Sequence, residues 1–326
     1  MFMYVHHPPH HYRGESSMSN GNAAAGAPTP IVSVGPVTLP AADRGEDLQV
    51  RVSAPVAGRE LPIIVFSHGF GKSMKAYAPL VDYWAAHGFV VAQPTHLDSR
   101  ILNITPDDPR HSEIWRFRVA DLKRILDHLD VIEAAVPGLE GRLDPGRIAA
   151  VGHSWGGQTV GMLLGARVLG ADGLPGEDMS DSRVTAGVLL STTGTGGADL
   201  SPFAAEHFPF MSPSFADMAT PTLVVAGDKD QSPLSVRGPD WFTDPYHLSP
   251  GPKSLLTLFG AEHSLGGISG YTVTETTDES PERVALIQRI TWAYLRSTLN
   301  PGDDTWSAVR TAMSADIDQL GRISVK

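Results

Sequence analysis

The stretch 147–161, "RIAAVGHSWGGQTVG", runs from an apolar strand-like segment through a serine flanked by glycines into a helix-like one. A strand that turns at once into a helix brings two backbones close together, and Gly152 and Gly156 remove the Cβ atoms that would obstruct them. A sheet whose strands are each followed by a helix packed on its face is the architecture that uses such a junction repeatedly. Two readings of Ser154 stay open from these residues alone: a small residue in a tight turn, or a hydroxyl held out on strained backbone.

The remaining chain repeats that alternation. Short Val-, Ile- and Leu-rich runs at 47–56, 61–70, 89–96, 147–154, 184–192, 221–230 and 253–264 read as strands, most of them buried on both faces. Segments 77–88, 115–135, 157–169 and 280–299 read as helices. In 115–135, Val119, Leu122, Leu126, Leu129 and Ile132 form the apolar face, with Asp121, Lys123, Arg124, Asp127 and Asp130 between them. Ser280 and Pro281 open the last of these helices as cap and first residue. The fold class is therefore α/β, a mostly parallel central sheet with helices on both faces. With 326 residues, 41% of them hydrophobic, one large domain over 31–299 uses most of the chain. Residues 1–30 lack apolar periodicity and are expected to form a disordered arm, and 300–326 are expected to add a short helix and a tail.

Composition excludes several functions. Lys and Arg number 25 against 36 Asp and Glu, a formal charge of −11 and the wrong sign for tracking nucleic acid or an anionic membrane surface. Without cysteine there is no disulfide, zinc-thiolate site or thiol nucleophile. The arm carries His6, His7, His10 and His11 but no carboxylate or thiol partner for a metal. It has no basic segment leading an apolar core, so no secretory signal is read, and a cytoplasmic location is expected. Met18 opens a second, ordinary-looking start.

Gly152-His153-Ser154-Trp155-Gly156 fits G-x-S-x-G between a strand and a helix. A serine hydroxyl is a weak nucleophile at its free pKa and needs a histidine base held by a carboxylate. The ends of the next strands supply both types: Asp228 and Asp230 in "AGDKD", then Glu262 and His263 in "GAEHS". Any one of these has a plain alternative, since Asp pairs form turns and the chain has thirteen histidines. Charge developing on an ester oxygen also needs preorganised donors, each worth roughly 3–4 kcal/mol. The amide of Trp155 is one candidate, and the loop "SHGFG" at 67–71 offers that of Phe70. A phosphate-loop reading through Gly71-Lys72-Ser73 fails because Phe66 stands where G-x-x-x-x-G-K requires glycine. A dehalogenase would need a carboxylate in place of Ser154.

With "GHSWGGQT", "SHGFG", "AGDKD" and "GAEHS" in this order, the chain resembles the α/β-hydrolase superfamily over about residues 47–299. It looks most like the branch of dienelactone-hydrolase-like, chlorophyllase-like and platelet-activating-factor-acetylhydrolase-like esterases. The resemblance implies Ser154 as nucleophile, His263 as base, Asp230 as orienting acid, and Phe70 and Trp155 as oxyanion hole. Asp230 is preferred to Asp228 because the acid follows a G-D-x-D turn in those families. His153 and His68 are implied to be structural. Two departures stand out: there is no H-G-G-G loop, and the nucleophile is serine where dienelactone hydrolases carry cysteine.

The implied activity is carboxylic-ester hydrolysis through an acyl-enzyme, without cofactor or metal, on a small-molecule ester with a hydrophobic acyl or alcohol group. Amide or thioester hydrolysis uses the same scaffold, and a ligand-binding protein of this fold with little turnover is the alternative from another class. The segment 194–220, rich in Phe and Met, is a candidate lid. His96, Asp98, Phe210, Met211 and Trp241 are candidate pocket residues, with Ser99 beside them, although His96, Asp98 and Ser99 read equally well as plain loop.

Overall fold

The computed structural model describes residues 26–270, 276–315 and 320–326. The elements in chain order are β1 (Ile31–Leu39), β2 (Leu48–Pro55), β3 (Leu61–Ser67), α1 (Ala78–Ala86), β4 (Val90–Pro94), α2 (Ile114–Asp127), α3 (Leu129–Ala135) and β5 (Leu143–His153). After them come α4 (Trp155–Leu163), β6 (Arg167–Val168), β7 (Val184–Leu190), α5 (Pro202–His207), β8 (Pro213–Ser214) and β9 (Thr222–Gly227). The chain ends with α6 (Asp244–Leu248), β10 (Lys253–Leu258), α7 (Pro281–Leu299), α8 (Thr305–Ala315) and β11 (Gly321–Val325).

Nine strands form one sheet in the order β1-β2-β4-β3-β5-β7-β9-β10-β11. The six from β4 to β10 in that order are parallel, and β2, β1 and β11 are antiparallel to their neighbours. Two-residue alternation divides the core. In β3, Ile63 and Val65 join Val119, Leu122 and Val160 on one face, while Ile64 and Phe66 join Trp84, Ile287 and Ile290 on the other. Burial on both faces explains why these strands read as unbroken apolar runs. A third apolar cluster, with Leu97, Trp155, Met211 and Trp241, lies beyond the carboxyl ends of the central strands.

Several sequence expectations need correction. The predicted single helix over 115–135 breaks at His128, whose backbone leaves the helical region (φ −126°, ψ 37°) and whose ring Nδ1 lies 2.9 Å from the Arg124 carbonyl oxygen. The predicted helix 157–169 is shorter, ending at Leu163. Residues 300–326 are more than a helix and a tail, because Gly321–Val325 pairs with β10 as an edge strand. At the other end of the sheet, β1 was not expected at all. The arm's last residues are tied down: the Thr29 amide donates to the Ala86 carbonyl at 2.8 Å. The rest of the arm, including the four histidines, lies outside the described residues. Among those described, no helix is long and apolar enough to cross a membrane.

The junction between β5 and α4 fixes the fold's tolerance for side chains. A Cβ on Gly152 would stand 2.1 Å from the Gly156 carbonyl oxygen, and one on Gly156 would stand 2.1 Å from that of Ser67. Both obstacles are backbone, so neither moves cheaply. Gly161, one turn later in the same helix, has only Ala166 Cβ at 3.8 Å. Gly156→Ala is therefore expected to destabilise by at least the 1–3 kcal/mol typical of overpacking (about 3 or more here), whereas Gly161→Ala should be neutral or stabilise by about 0.5–1 kcal/mol. Urea denaturation of the two variants checks this, and similar losses in both would contradict it.

Candidate active site

Ser154 follows the last residue of β5 with φ 57° and ψ −123°, a backbone conformation unusual for any side-chain-bearing residue. Its amide is held by the Leu190 carbonyl at 2.9 Å, and its own carbonyl begins the α4 ladder. Side chains of β9 and β10 loops reach it across the sheet. These two strands are parallel neighbours, so their carboxyl-end loops emerge side by side. His263 Nε2 lies 2.9 Å from Ser154 Oγ, and its Nδ1 lies 3.1 Å from each carboxylate oxygen of Asp230. Asp230 is completely buried, while the His263 side chain is 41% exposed and so open to a ligand. Asp228 is occupied elsewhere, accepting from the Gly260 amide at 2.7 Å.

Trp155 follows the serine in the chain, and its ring lies 5.7 Å from that of Phe70. Neither of their backbone amides is paired with an acceptor among the described residues. The loop that carries Phe70 is held by buried groups. Arg118, fully buried on α2, donates to the His68 carbonyl, to Ser67 Oγ at 3.2 Å and to Thr159 Oγ1 at 2.9 Å, and pairs with Asp98. Asp98 in turn accepts from the Gly71 amide at 2.9 Å. Burial raises the Asp98 carboxyl, but the Arg118 charge, helped by His68 and the Gly71 amide, outweighs it and leaves the carboxyl below its ordinary value.

Behind this loop lies a second Ser-His-Asp arrangement. His96 Nε2 is 3.0 Å from Ser67 Oγ and its Nδ1 is 2.9 Å from Asp121, which lies 2.9 Å from Arg44 Nε. All four side chains are enclosed, at 0–1% exposure, so no substrate carbonyl can reach Ser67. The arrangement braces the loop. Asp121 thus departs from its expected place among the exposed charges of the helix: Arg44 and His96 partner it, offsetting only part of the cost of its burial.

An open cavity of about 1410 Å³ adjoins Trp155. Phe70, Asp98 and Phe210 lie on its wall, together with Ile104, Trp115 and Phe208. The rings of Trp115, Phe210 and Trp155 stack in a row, with centroids 6.0 and 5.4 Å apart. Three expected pocket residues are not on the wall. His96 is wholly enclosed in the network above. Met211, 4% exposed, packs behind the wall, and Trp241 donates from its ring to the Thr195 carbonyl at 2.8 Å. The segment 194–220 divides: its Phe203, Phe208 and Phe210 face the cavity, whereas Phe215 and Met218 join the core. Among the described residues no three His, Asp or Glu side chains gather as a metal site.

Sheet order, the position of the Gly-flanked serine after β5 and the convergence of the β9 and β10 loops decide the fold. The chain has the α/β-hydrolase fold. Its residues 33–167 match the family model described as Chlorophyllase, a span that includes Phe70, Ser154 and Trp155 and stops before Asp230. It is similar to platelet-activating factor acetylhydrolase of Bos taurus, 29% identical over 290 residues, covering 74% of this chain and 58% of that one. The Canis lupus familiaris protein of the same name is 22% identical with the same coverage, and that of Gallus gallus is 26% identical over 46% of this chain and 44% of its own. The chain thus spans less than two thirds of the length of these relatives.

Arg118, Tyr77 and Ser67 were not legible as site residues. One signal existed for Arg118 and Asp121: they fall at helical spacing with Ile114, Leu122 and Ile125, on the apolar face where a charge requires a buried partner. Three buried histidines are also held neutral. Burial, followed by the Arg118 charge, lowers His68 to about 4, and burial, followed by the His263 charge, lowers His153 to about 3. Burial and Arg118 hold His96 well below the ordinary range.

Each of these imidazoles binds a proton more readily once unfolded, so its stabilising contribution is complete above pH 6.5 and declines as pH falls towards the folded value. Asp121, which burial pushes up to about 7, acts in the opposite direction over the same range. These four groups alone make stability rise with pH between 4.5 and 6.5, by about 2.7 kcal/mol per pH unit at the steepest, and carboxyls held below their ordinary value, Asp98 among them, add a rise of the same sign towards the acid end. Urea denaturation across that window measures the slope, and a flat or falling profile would contradict the neutral assignments.

Proposed function

We propose that this protein is a serine hydrolase cleaving carboxylic esters through an acyl-enzyme, with Ser154, His263 and Asp230 as catalytic triad. The observation that carries the reading is the hydrogen-bonded series Asp230–His263–Ser154, at 3.1 and 2.9 Å, with Trp155, the residue after the serine, on the wall of a largely apolar cavity. Asp230 fixes the proton on His263 Nδ1, so Nε2 is free to accept the serine proton as Oγ attacks the ester carbonyl. The carbonyl π electrons move onto oxygen, which takes hydrogen bonds from the Phe70 and Trp155 amides. Collapse expels the alcohol with the proton returned by His263. Water, deprotonated by the same imidazole, then releases the acid and restores Ser154.

The cavity exceeds the range of about 300–1,000 Å³ usual for small-ligand sites, and its aromatic lining suits a hydrophobic acyl or alcohol group on a small-molecule ester. The part of segment 194–220 that faces the cavity acts as its cover. Chlorophyllase and platelet-activating factor acetylhydrolase, the names attached to the matches, denote hydrolases, which favours ester turnover over a binding role without chemistry.

Ser154→Ala is expected to lower kcat for a p-nitrophenyl ester by about 10⁴ to 10⁶ with thermal unfolding unchanged. A fluorophosphonate should add one equivalent to Ser154 of the native protein by mass spectrometry. Wild-type turnover in the folded variant would overturn the reading, and an adduct without turnover in the native protein would favour the ligand-binding alternative.

A further inference from the structure

Tyr77 and His153 take no part in the chemistry described above, yet they connect both halves of the site. The Gly69 amide donates to the Tyr77 hydroxyl oxygen at 3.0 Å. That oxygen lies 2.8 Å from His153 Nδ1, and His153 Nε2 lies 2.8 Å from the His263 carbonyl oxygen. The direction of every bond follows from the end groups. A carbonyl only accepts, so His153 carries its proton on Nε2; Nδ1 of the neutral ring then accepts, and Tyr77 donates to it while receiving the Gly69 N–H. Both side chains are buried, Tyr77 completely, and no water needs to be invoked. Burial keeps the ends of the relay in these states, pushing the Tyr77 hydroxyl up to about 12 and the imidazole down to about 3.

Resting on the proposed esterase reading, we infer that the Tyr77–His153 pair is a positioning relay that sets the Phe70 amide and the His263 imidazole in register with each other. Gly69 precedes the oxyanion residue Phe70 in the chain, so fixing its amide orients the peptide unit that follows. The His263 carbonyl belongs to the base itself. One rigid path of three hydrogen bonds therefore runs from the oxyanion loop to the base, passing through the residue that precedes Ser154. The approach is close: a Cβ on Gly69 would lie 2.9 Å from the Tyr77 hydroxyl and 3.3 Å from His153 Nδ1. Glycine is required there by the relay, beyond any need of the turn.

The relay makes no contact with a substrate, so its loss should act on the transition state and spare the ground state. Three full-length variants test it: Tyr77→Phe, His153→Leu and His153→Gln. The glutamine amide can accept at one atom and donate at the other, preserving the bond polarity that leucine removes. Each would be assayed for kcat and KM on p-nitrophenyl butyrate and for affinity towards an alkyl boronic acid, which forms a tetrahedral adduct on the serine. Tyr77→Phe and His153→Leu are expected to lower kcat about 10- to 100-fold and to weaken boronate binding in parallel, with KM within about twofold. His153→Gln should recover most of the loss relative to His153→Leu.

Equal activity in all folded variants, or a fall in kcat with boronate affinity unmoved, would overturn the relay. So would a glutamine variant no better than the leucine one. If Tyr77→Phe does not fold, the two His153 variants decide the matter. Boronate binding reads the relay without turnover, so an inactive native protein would count against the esterase reading alone.

Discussion

The site depends on how closely β5 and α4 approach at residues 152–156. The contact leaves no room for a Cβ at either glycine and holds Ser154 at positive φ, a conformation costing of order 1–3 kcal/mol that the surrounding packing must offset. In return the hydroxyl projects beyond the sheet's carboxyl edge, and the amide of Trp155 is left at the start of a helix. The Ser67 and His68 carbonyls, against which Gly156 packs, belong to the loop that carries Phe70. Serine, helix terminus and the 67–71 loop are thus parts of one tight contact.

Buried polar groups make that contact specific. Arg118 joins the loop to α2, to α4 through Thr159 and to Asp98, while His96 and Asp121 hold the loop's first residue. A buried charge is stable only when fully partnered, and such networks favour one arrangement over near alternatives. Remote residues can therefore influence the surroundings of Ser154 by fixing where the loop lies.

The parallel core of the fold was legible because its strands are buried on both faces and appear as short apolar runs between helices. The edges were not. β1 has several exposed residues and lacks a continuous apolar run, and β11 is made a strand by pairing with β10 rather than by its own composition. Ser154, Asp230 and His263 could be singled out because each follows a strand, and parallel strands bring their carboxyl ends to one edge. The bracing residues were harder. Tyr77 lies in a helix-leading turn and Asp121 in an amphipathic pattern, where sequence spacing gives no indication of the partners that fold against them. Pocket residues were the least legible, since sequence does not tell which side chains of these loops face the cavity and which, like His96, Met211 and Trp241, are buried away from it.

A crystal structure of the protein after reaction with an alkyl phosphonate tests the convergence of these groups most directly. The account predicts phosphorus bonded to Ser154 Oγ, its non-ester oxygen about 2.7–3.1 Å from the amide nitrogens of both Phe70 and Trp155, and its alkyl group against Phe210. An adduct on another residue, or one whose oxygen turns to solvent away from both amides, would contradict it.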